Sequence, residues 1–221
     1  MTRVKIIVEG LTEQSFVRDV LAPTLWSRQV FLYPILLGHS GGNPSYTRVK
    51  TDVLAQLKQD RTAYCSTLLD FYGLGEGFPG TPLPPALANI EKVIRIEQAA
   101  KEDIVEHAPD LRAEFRFLPY LQLHEYEGLL FSDPAAFAKG IDQPNLAEPF
   151  QLIRNQFKTP EDIDDDPDTA PSKRVLELHP SYSKIVDGTL GAKAVGIEIM
   201  RQQCPHFHGW VERLESLGVA K

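Results

Sequence analysis

The stretch VKIIVEGLTEQSFVRDVL, residues 4–21, decides which fold the sequence predicts. Residues 4–8 are mostly apolar and β-branched, which is typical of a strand that is buried on both faces. The strand stops at Glu9, and Thr12 then offers a hydroxyl that can cap a following helix. Apolar side chains recur on one face of that helix, which Pro23 is expected to kink or end. The chain therefore begins with a buried strand followed by an amphipathic helix.

The alternation of strand and helix continues through the first half of the chain. Further strands are predicted at residues 30–37, 65–71 and 115–123, and helices at residues 46–59 and 86–107. This order is typical of an α/β fold in which helices flank a mostly parallel sheet. Pro34 argues against a central position for the second strand, and Pro119 is expected to interrupt the fourth.

The character of the sequence changes near residue 135. We predict an α/β core over residues 1–135 and a helical extension over residues 136–221 that packs on it. Residues 159–171 (TPEDIDDDPDTAP) are acidic, rich in proline and nearly free of apolar side chains, so they are predicted to form a solvated loop. Helices in the extension are predicted at residues 171–178, 191–203 and 209–217.

Charge and composition limit the possible functions. The 221 residues carry a formal net charge of −7, and the pI is near 5.4. This balance argues against a protein that coats nucleic acid through a broad basic face, but an acidic site can still meet a phosphodiester through bound cations. No apolar run is long enough for a transmembrane span, and the start of the chain lacks the pattern of a signal peptide. Cys65 and Cys204 form no redox motif, so we expect a cytoplasmic protein with no membrane association.

Acidic side chains follow three of the predicted strands. Glu9 ends the first, Asp70 ends the third, and Glu125 and Glu127 follow the fourth. Ligands of parallel α/β sheets bind outside the carboxyl ends of the strands, where these acids are expected to lie. If the backbone is extended at residues 125–127, both glutamates face one side; if a helix has begun there, they diverge and only one reaches the site.

Four carboxylates in one place repel each other, and divalent cations remove that conflict. Mg²⁺ accepts a few carboxylates together with water and phosphate oxygens, and a pair of such ions suits phosphodiester hydrolysis. We therefore predict a Mg²⁺ or Mn²⁺ site formed by Glu9, Asp70, Glu125 and Glu127. The alternative for each single acid is a helix cap or a solvated group; the coincidence on three strands favours the site.

Three other segments carry weaker signals. The glycine-rich GHSGGNPS could hold a phosphate but lacks the lysine and serine of a P-loop, so a flexible loop near the site is the preferred interpretation. His124 is a proton shuttle, a ligand or, as a lone histidine more often is, a structural residue. Cys204, His206 and His208 lack a second pair of ligands at the spacing of a zinc site.

The motifs together resemble the Toprim fold, a catalytic domain of topoisomerases, bacterial primases and small nucleases. VEGLTE, LDFYGLG, PYLQLHEYEGLLFSD, PSKRV and CPHF are similar to motifs of a family of small, stand-alone, uncharacterised bacterial Toprim-like proteins. HEYEGLLF is also similar to the Glu-x-Glu segment of the overcoming-lysogenization-defect nucleases. The genes of the small family often neighbour an ABC-type ATPase.

This resemblance implies roles for individual residues. Glu9 resembles the Toprim general acid/base or metal ligand, and Asp70 the first metal-binding aspartate. The family pattern Asp-x-Asp is broken, because Tyr72 occupies the second position. Glu125 or Glu127 is then expected to supply the missing ligand.

Basic residues near the C-terminal motifs complete the predicted site. Lys173 and Lys184 are predicted as catalytic residues that neutralise charge on the scissile phosphate, the alternative being solvated side chains at a helix start. The residues assigned to substrate binding are Gly10, Thr12, Glu13 and Arg174.

The sequence thus predicts a metal-dependent nuclease acting on DNA or RNA. The resemblance implies gating by an ABC-type ATPase in an anti-phage defence system. Two alternatives stay open: a catalytically silent assembly subunit, and a phosphatase or nucleotidyl-transfer enzyme acting on small nucleotides.

Overall fold

The fold is an α/β arrangement in which helices flank a parallel sheet, as the sequence predicts. The computed structural model describes residues 1–39, 41, 44–75, 77–163 and 169–218. The strands are β1 (Thr2–Val8), β2 (Val30–Leu36), β3 (Tyr64–Asp70), β4 (Phe117–Leu118) and β5 (Leu121–Gln122). The helices are α1 (Leu11–Phe16), α2 (Ala22–Leu25), α3 (Tyr46–Gln59), α4 (Asn89–His107), α5 (Ala113–Arg116), α6 (Pro134–Gly140), α7 (Ala147–Arg154), α8 (Pro171–Leu178), α9 (Val186–Val195), α10 (Ile197–Gln203) and α11 (Pro205–Ser216).

The strands lie in the order β2-β1-β3-β4, and every pairing is parallel. β5 also pairs with β3, through Leu69 with Leu121 and Asp70 with Gln122. Pro34 lies on β2 at the edge of the sheet, as predicted, and the chain breaks between β4 and β5 at Pro119. The strand order makes β1, β3 and β5 neighbours at their carboxyl ends.

Each face of the sheet is covered by its own hydrophobic core. Val4, Ile6 and Val8 of β1 point into one core, whereas Ile7 points into the other. This alternation follows from the period of two along a strand, and it explains why residues 4–8 are apolar on both faces. The first core also receives side chains from the helices that follow residue 134, and the second is built by α3 and α4.

The last helix returns the chain to the start of β1. The Thr2 hydroxyl donates a hydrogen bond to the Leu217 carbonyl at 2.9 Å. Trp210 of α11 donates from Nε1 to Ser66 Oγ of β3 at 2.9 Å and stacks on Tyr120 with ring centroids 4.3 Å apart. These contacts attach the C-terminal helix to the sheet. None of the helices in the described part of the chain combines the length and apolar composition needed to cross a membrane.

The helix after β1 differs from the prediction at its start, and near Pro23 it changes its hydrogen-bond register instead of ending. Gly10, not Thr12, is the N-cap, and the Glu13 side chain closes the capping box. The helix also continues past Pro23, because a π-helical turn over Val17–Leu21 changes the hydrogen-bond register before α2. Pro23 then lies in the first turn of α2, where a missing N–H costs little.

Local patterns misplaced several other boundaries. Residues 115 and 116 belong to α5 instead of the fourth strand, and α6 and α7 were not predicted. The helix predicted at 191–203 is two helices, because Gly196 adopts a positive φ of 80° between α9 and α10. α11 begins at Pro205, four residues before the predicted start, since proline is well suited to a first helical turn.

The segment predicted as a solvated acidic loop is partly buried. Pro160–Asp162 forms a short 3₁₀ turn, and Ile163 lies in the first core. The buried Glu161 carboxylate accepts hydrogen bonds from the backbone N–H groups of His206 and Phe207, at 3.0 and 2.9 Å. Glu161 therefore caps the N-terminus of α11. Residues 164–168 of the predicted loop lie outside the described residues.

Candidate functional site

The acids that follow the strands line one open pocket at the carboxyl edge of the sheet. Glu9 follows β1, Asp70 ends β3 and Glu125 lies shortly after β5. The pocket has a volume of about 320 Å³, and its lining residues are Glu9, Gly10, Glu13, Asp70, Tyr72, Gly73, Glu125 and Lys184. Parallel pairing of adjacent strands is the reason why acids so far apart in the sequence meet here.

Glu9 and Glu13 reach the pocket from the junction of β1 and α1. Glu13 lies one helical turn after Glu9 and is only 8% exposed. Its Oε2 accepts a hydrogen bond from the Gly10 N–H at 2.8 Å, which satisfies one free donor at the start of the helix. The same carboxylate is therefore both a helix cap and part of the pocket wall.

Asp70 and Gly73 form a tight turn against Glu9. The Gly73 N–H donates to the Asp70 carbonyl at 3.1 Å, and the Phe71 N–H donates to the Gln122 carbonyl at 2.9 Å. A Cβ atom at Gly73 would lie 3.4 Å from both carboxylate oxygens of Glu9. This is an ordinary van der Waals distance, so the turn lies in contact with the Glu9 carboxylate.

Glu125 and Glu127 converge on the Lys184 ammonium. Lys184 Nζ lies 3.3 Å from Glu125 Oε1 and 3.6 Å from Glu127 Oε1. The sequence left open whether the backbone at residues 125–127 is extended or helical. The backbone is extended at Glu125, and a 3₁₀ helix begins directly after it at Tyr126. The buried His124 precedes them with a φ of 60°, a conformation that costs a non-glycine residue free energy.

The N-terminus of α8 also points at Glu125. The Ser172 N–H donates to Glu125 Oε2 at 2.9 Å. Both oxygens of Glu125 therefore have partners, one from a helix N-terminus and one from Lys184. This fixes the orientation of the Glu125 side chain.

The pocket favours protonated carboxyl groups. Burial, together with the neighbouring Glu13, raises the pKa of Glu9 from 4.5 to about 7. Burial also raises the pKa of Glu127 from 4.5 to about 7, although Lys184 opposes the rise. The pKa of Asp70 lies well above its ordinary value, first through burial and then through the charges of Glu13 and Glu9. A site with this excess of acid has a strong affinity for positive charge.

Several buried carboxylate oxygens in and beside the pocket accept no hydrogen bond from any described residue. Among the described residues, Glu9 Oε2, Asp70 Oδ1 and Glu127 Oε1 are buried without a hydrogen-bond partner. Buried polar atoms are nearly always paired, and carboxylate oxygens are the ligands that Mg²⁺ and Mn²⁺ prefer. The donors therefore fit such an ion. Within the described ranges, no group of three or more Asp, Glu, His or Cys side chains surrounds one point closely enough to ligate a metal.

A family match covers nearly the whole chain. Residues 8–215 match the family described as Domain of unknown function (DUF4276). The chain belongs to this family. The matched range contains every acid of the pocket as well as Lys184. No curated protein matches the chain.

Solved structures that match this DUF4276 chain come from one protein. They are crystals of the C-terminal region of the OLD protein of Xanthomonas campestris pv. campestris, phased with mercury, iodine or platinum. The mercury structure has a TM-score of 0.45 and 14% identity, covering 98% of this chain and 96% of that one. The iodine structure has a TM-score of 0.41 and 16% identity, covering the same shares of the two chains.

The pocket gathers most, but not all, of the residues predicted for the site. Gly10 and Glu13 line it, and so do Glu9, Asp70, Glu125 and Lys184, while the buried Glu127 is not a lining residue but contacts Lys184. Thr12 and Lys173 do not line the pocket, and the Lys173 side chain is exposed on α8. Arg174 donates from Nε to the Thr169 carbonyl at 2.6 Å and lies over the Phe157 ring, so its described contacts are structural.

Part of GHSGGNPS approaches the pocket through Gly41, whereas Ser40, Gly42 and Asn43 lie outside the described residues.

The sequence assigned Glu13 to substrate binding and gave Tyr72 no role, and both residues line the pocket. Glu13 is one of the four acids that line the pocket, and its spacing of four from Glu9, across a helix start, was the available signal. Tyr72 was noted only as a departure from Asp-x-Asp, yet its side chain lines the pocket and is 43% exposed.

Proposed function

We propose that this DUF4276 chain is a divalent-metal-dependent nuclease that hydrolyses phosphodiester bonds of DNA or RNA. The observation that supports this function best is the meeting of acids from three neighbouring strand ends in one pocket beside a single lysine, Lys184. The sequence resemblance to Toprim nucleases, which stays a prediction, points to the same chemistry. An acidic pocket with unpaired buried oxygens is suited to cations and unsuited to a bare phosphate.

The residues proposed to hold Mg²⁺ or Mn²⁺ are Glu9, Glu13, Asp70, Glu125 and Glu127. When bound, such ions supply positive charge that binds the phosphate oxygens and polarises the phosphodiester. The rigid strand ends of β1 and β3 hold Glu9 and Asp70, and the α8 N-terminus orients Glu125, so ligands are presented from elements that do not move independently.

Glu9 is the proposed proton acceptor. It lines the pocket beside Asp70, and in the protein without metal its pKa is raised to about 7 by burial and by Glu13. The oxygen of a water molecule attacks phosphorus, and the bond from phosphorus to the leaving oxygen breaks. One proton of the water goes to the Glu9 carboxylate, and the leaving oxygen takes a proton from solvent. Lys184 Nζ is proposed to shift from Glu125 and Glu127 toward the charged phosphate oxygens.

An ATPase partner is part of the proposal. The sequence resemblance is the basis for an ABC-type ATPase that gates the nuclease in an anti-phage defence system. A net charge of −7 gives the chain little electrostatic affinity for nucleic acid, so a partner that delivers the strand fits the charge balance.

The test is an activity screen with matched variants. Wild type is incubated with Mg²⁺ or Mn²⁺ and labelled single-stranded DNA, duplex DNA, RNA and small nucleotides. We expect cleavage of nucleic acid that falls at least ~100-fold in Glu9→Gln and Asp70→Asn, because each loses a ligand or proton acceptor. The controls Glu177→Gln and Asp110→Asn change exposed acids and should cleave as wild type does.

Two other results would favour other functions. Turnover confined to small nucleotides would show a phosphatase or nucleotidyl-transfer enzyme. No metal-dependent turnover with any substrate, alone or with the ATPase, would favour a silent assembly subunit. One observation favours the assembly subunit: the Lys184 ammonium already neutralises Glu125 and Glu127.

A further inference from the structure

Tyr72 places an aromatic ring in a pocket whose other side chains are charged. The pocket contains no other aromatic lining residue among those described, and the Tyr72 side chain is 43% exposed. No ring within the described ranges packs against it. Most large aromatic side chains here are buried, so an exposed ring beside Glu9 and Asp70 is available for a ligand.

The backbone holds Tyr72 in a fixed position. Tyr72 is the residue before Gly73 in the turn closed by the hydrogen bond from the Gly73 N–H to the Asp70 carbonyl. The Phe71 N–H is bound to the Gln122 carbonyl, and the Phe71 side chain packs against the second core. The backbone of Tyr72 is therefore anchored next to the acids, and its side chain lines the pocket from there.

Electrostatic attraction alone gives this pocket a low affinity for a nucleic acid strand. Four of the described lining residues are acids, and Lys184 is the one cation among them. Bound metal ions would hold the scissile phosphate, but the neighbouring nucleotides need contacts that do not depend on charge. Stacking of a base on an aromatic ring supplies such a contact, worth about a tenfold gain in affinity per base.

We propose that the Tyr72 ring stacks on an unpaired nucleobase beside the scissile phosphodiester, which makes single-stranded nucleic acid the preferred substrate. A base inside a duplex already has both faces covered by its neighbours, so only an unpaired or terminal base can present a face to the ring. This inference rests on the proposed function and adds to it the strand type and a specificity-determining residue.

The test scans a labelled single strand with one abasic nucleotide, moved position by position, in Mg²⁺. For wild type, we expect kcat/KM to fall about tenfold when the abasic nucleotide lies at one position next to the cleaved bond. Tyr72→Leu, which keeps apolar volume without a ring, should lower kcat/KM for the intact strand and show no such dip. Tyr72→Phe keeps the ring and should keep the dip. Tyr33→Leu changes an equally exposed tyrosine on β2 and serves as the control.

A binding measurement separates this inference from the proposed function. A 2-aminopurine base at the sensitive position, or scanned along the strand, should lose fluorescence on binding to wild type and Tyr72→Phe but not to Tyr72→Leu. Quenching without cleavage would support the stacking and contradict the nuclease. Three results would overturn the stacking but not the nuclease function. They are cleavage whose kcat/KM does not fall at any abasic position, equal activity on duplex DNA, and an effect of the Tyr72 ring on binding of a protein partner alone. Failure of wild type to bind or cleave any strand would count against both.

Discussion

Among single residues, Lys184 has the largest electrostatic role in the described site. Its ammonium lies between the Glu125 and Glu127 carboxylates, and Glu127 is only 2% exposed. A buried charge without a partner is costly, whereas a paired one is tolerated. Lys184 thereby lets the two glutamates lie close to each other.

Removal of Lys184 is expected to destabilise the protein in a pH-dependent way. At pH 8, Lys184→Ala leaves the Glu127 carboxylate unpaired and should lower the free energy of unfolding by about 1–2 kcal/mol. At pH 5.5, Glu127 is protonated, so the loss should be smaller. Urea unfolding at both pH values measures this. Lys173→Ala, an exposed lysine on α8, should stay within about 0.5 kcal/mol of wild type at either pH, and an equal loss in both variants would contradict the role of Lys184.

The raised pKa values predict that the metal-free protein loses stability as pH rises. Glu127 has a pKa of about 7 when folded and 4.5 as its ordinary value, so between these values the folded state binds a proton that the unfolded state has released. Raising pH from 5 to 8 removes that proton at a cost on the order of a few kcal/mol. Glu127→Gln should flatten this dependence, as followed by urea unfolding in EDTA. A curve with the same slope in both proteins would contradict a raised pKa for Glu127.

The acids of the site were predictable because strand ends are visible in the sequence. An apolar run that stops at Glu9 or Asp70 marks the carboxyl end of a strand, and parallel pairing then puts both at one edge. The burial of Glu161 could not be predicted, because its partners at His206 and Phe207 lie more than forty residues later in the chain. Position relative to a strand is local information, whereas a helix cap supplied from another segment is not.

At the scale of elements, the junction of β1 and α1 depends on a close backbone approach. Gly41 has a φ of 77°, and a Cβ atom there would lie 2.7 Å from the Glu9 carbonyl oxygen. Only glycine adopts this conformation freely, and no side chain fits beside that carbonyl. The end of β1 is therefore held on one side by Gly41 and on the other by the Asp70–Gly73 turn.

Gly41→Ala is expected to disturb this junction. The strained φ and the contact with the Glu9 carbonyl should lower the free energy of unfolding by about 1–3 kcal/mol and shift Glu9 away from the pocket. Gly209→Ala is the matched control, because a Cβ atom there meets nothing within 4 Å and alanine favours the interior of α11, with an expected gain of about 0.5–1 kcal/mol. Thermal unfolding checks both; similar changes in both variants would show that Gly41 is not constrained.

Elements with strong periodicity were predicted well, and short ones were not. α3 has the predicted bounds of 46–59, and its apolar residues recur at helical spacing over fourteen residues. α6 and α7 are eight residues or shorter and are stabilised by a shared cluster of Phe131, Phe137 and Phe150. Helices this short depend on tertiary packing, which leaves little trace in the local sequence.

At the scale of the whole molecule, metal binding should stabilise the fold. The unfolded chain does not bring strand-end acids together, so a cation that binds only the folded state stabilises it by mass action. Mg²⁺ or Mn²⁺ at a hundredfold excess over its dissociation constant should add about 2.7 kcal/mol to the free energy of unfolding at pH 8. Asp70→Asn should lose most of this gain, and Asp110→Asn should keep it. NaCl at equal ionic strength controls for screening, and an equal gain from it would contradict a specific site.

The hydrogen bond between Thr2 and Leu217 sets how the molecule could be tethered to something else. It puts both ends of the described chain together at the amino end of β1, seven residues and about 20 Å from the acids at its other end. A fused protein, a fluorophore or a surface linker attached there would lie at the amino edge of the sheet, on the side away from the acidic pocket. The acidic pocket at the other end of β1 would then be left accessible.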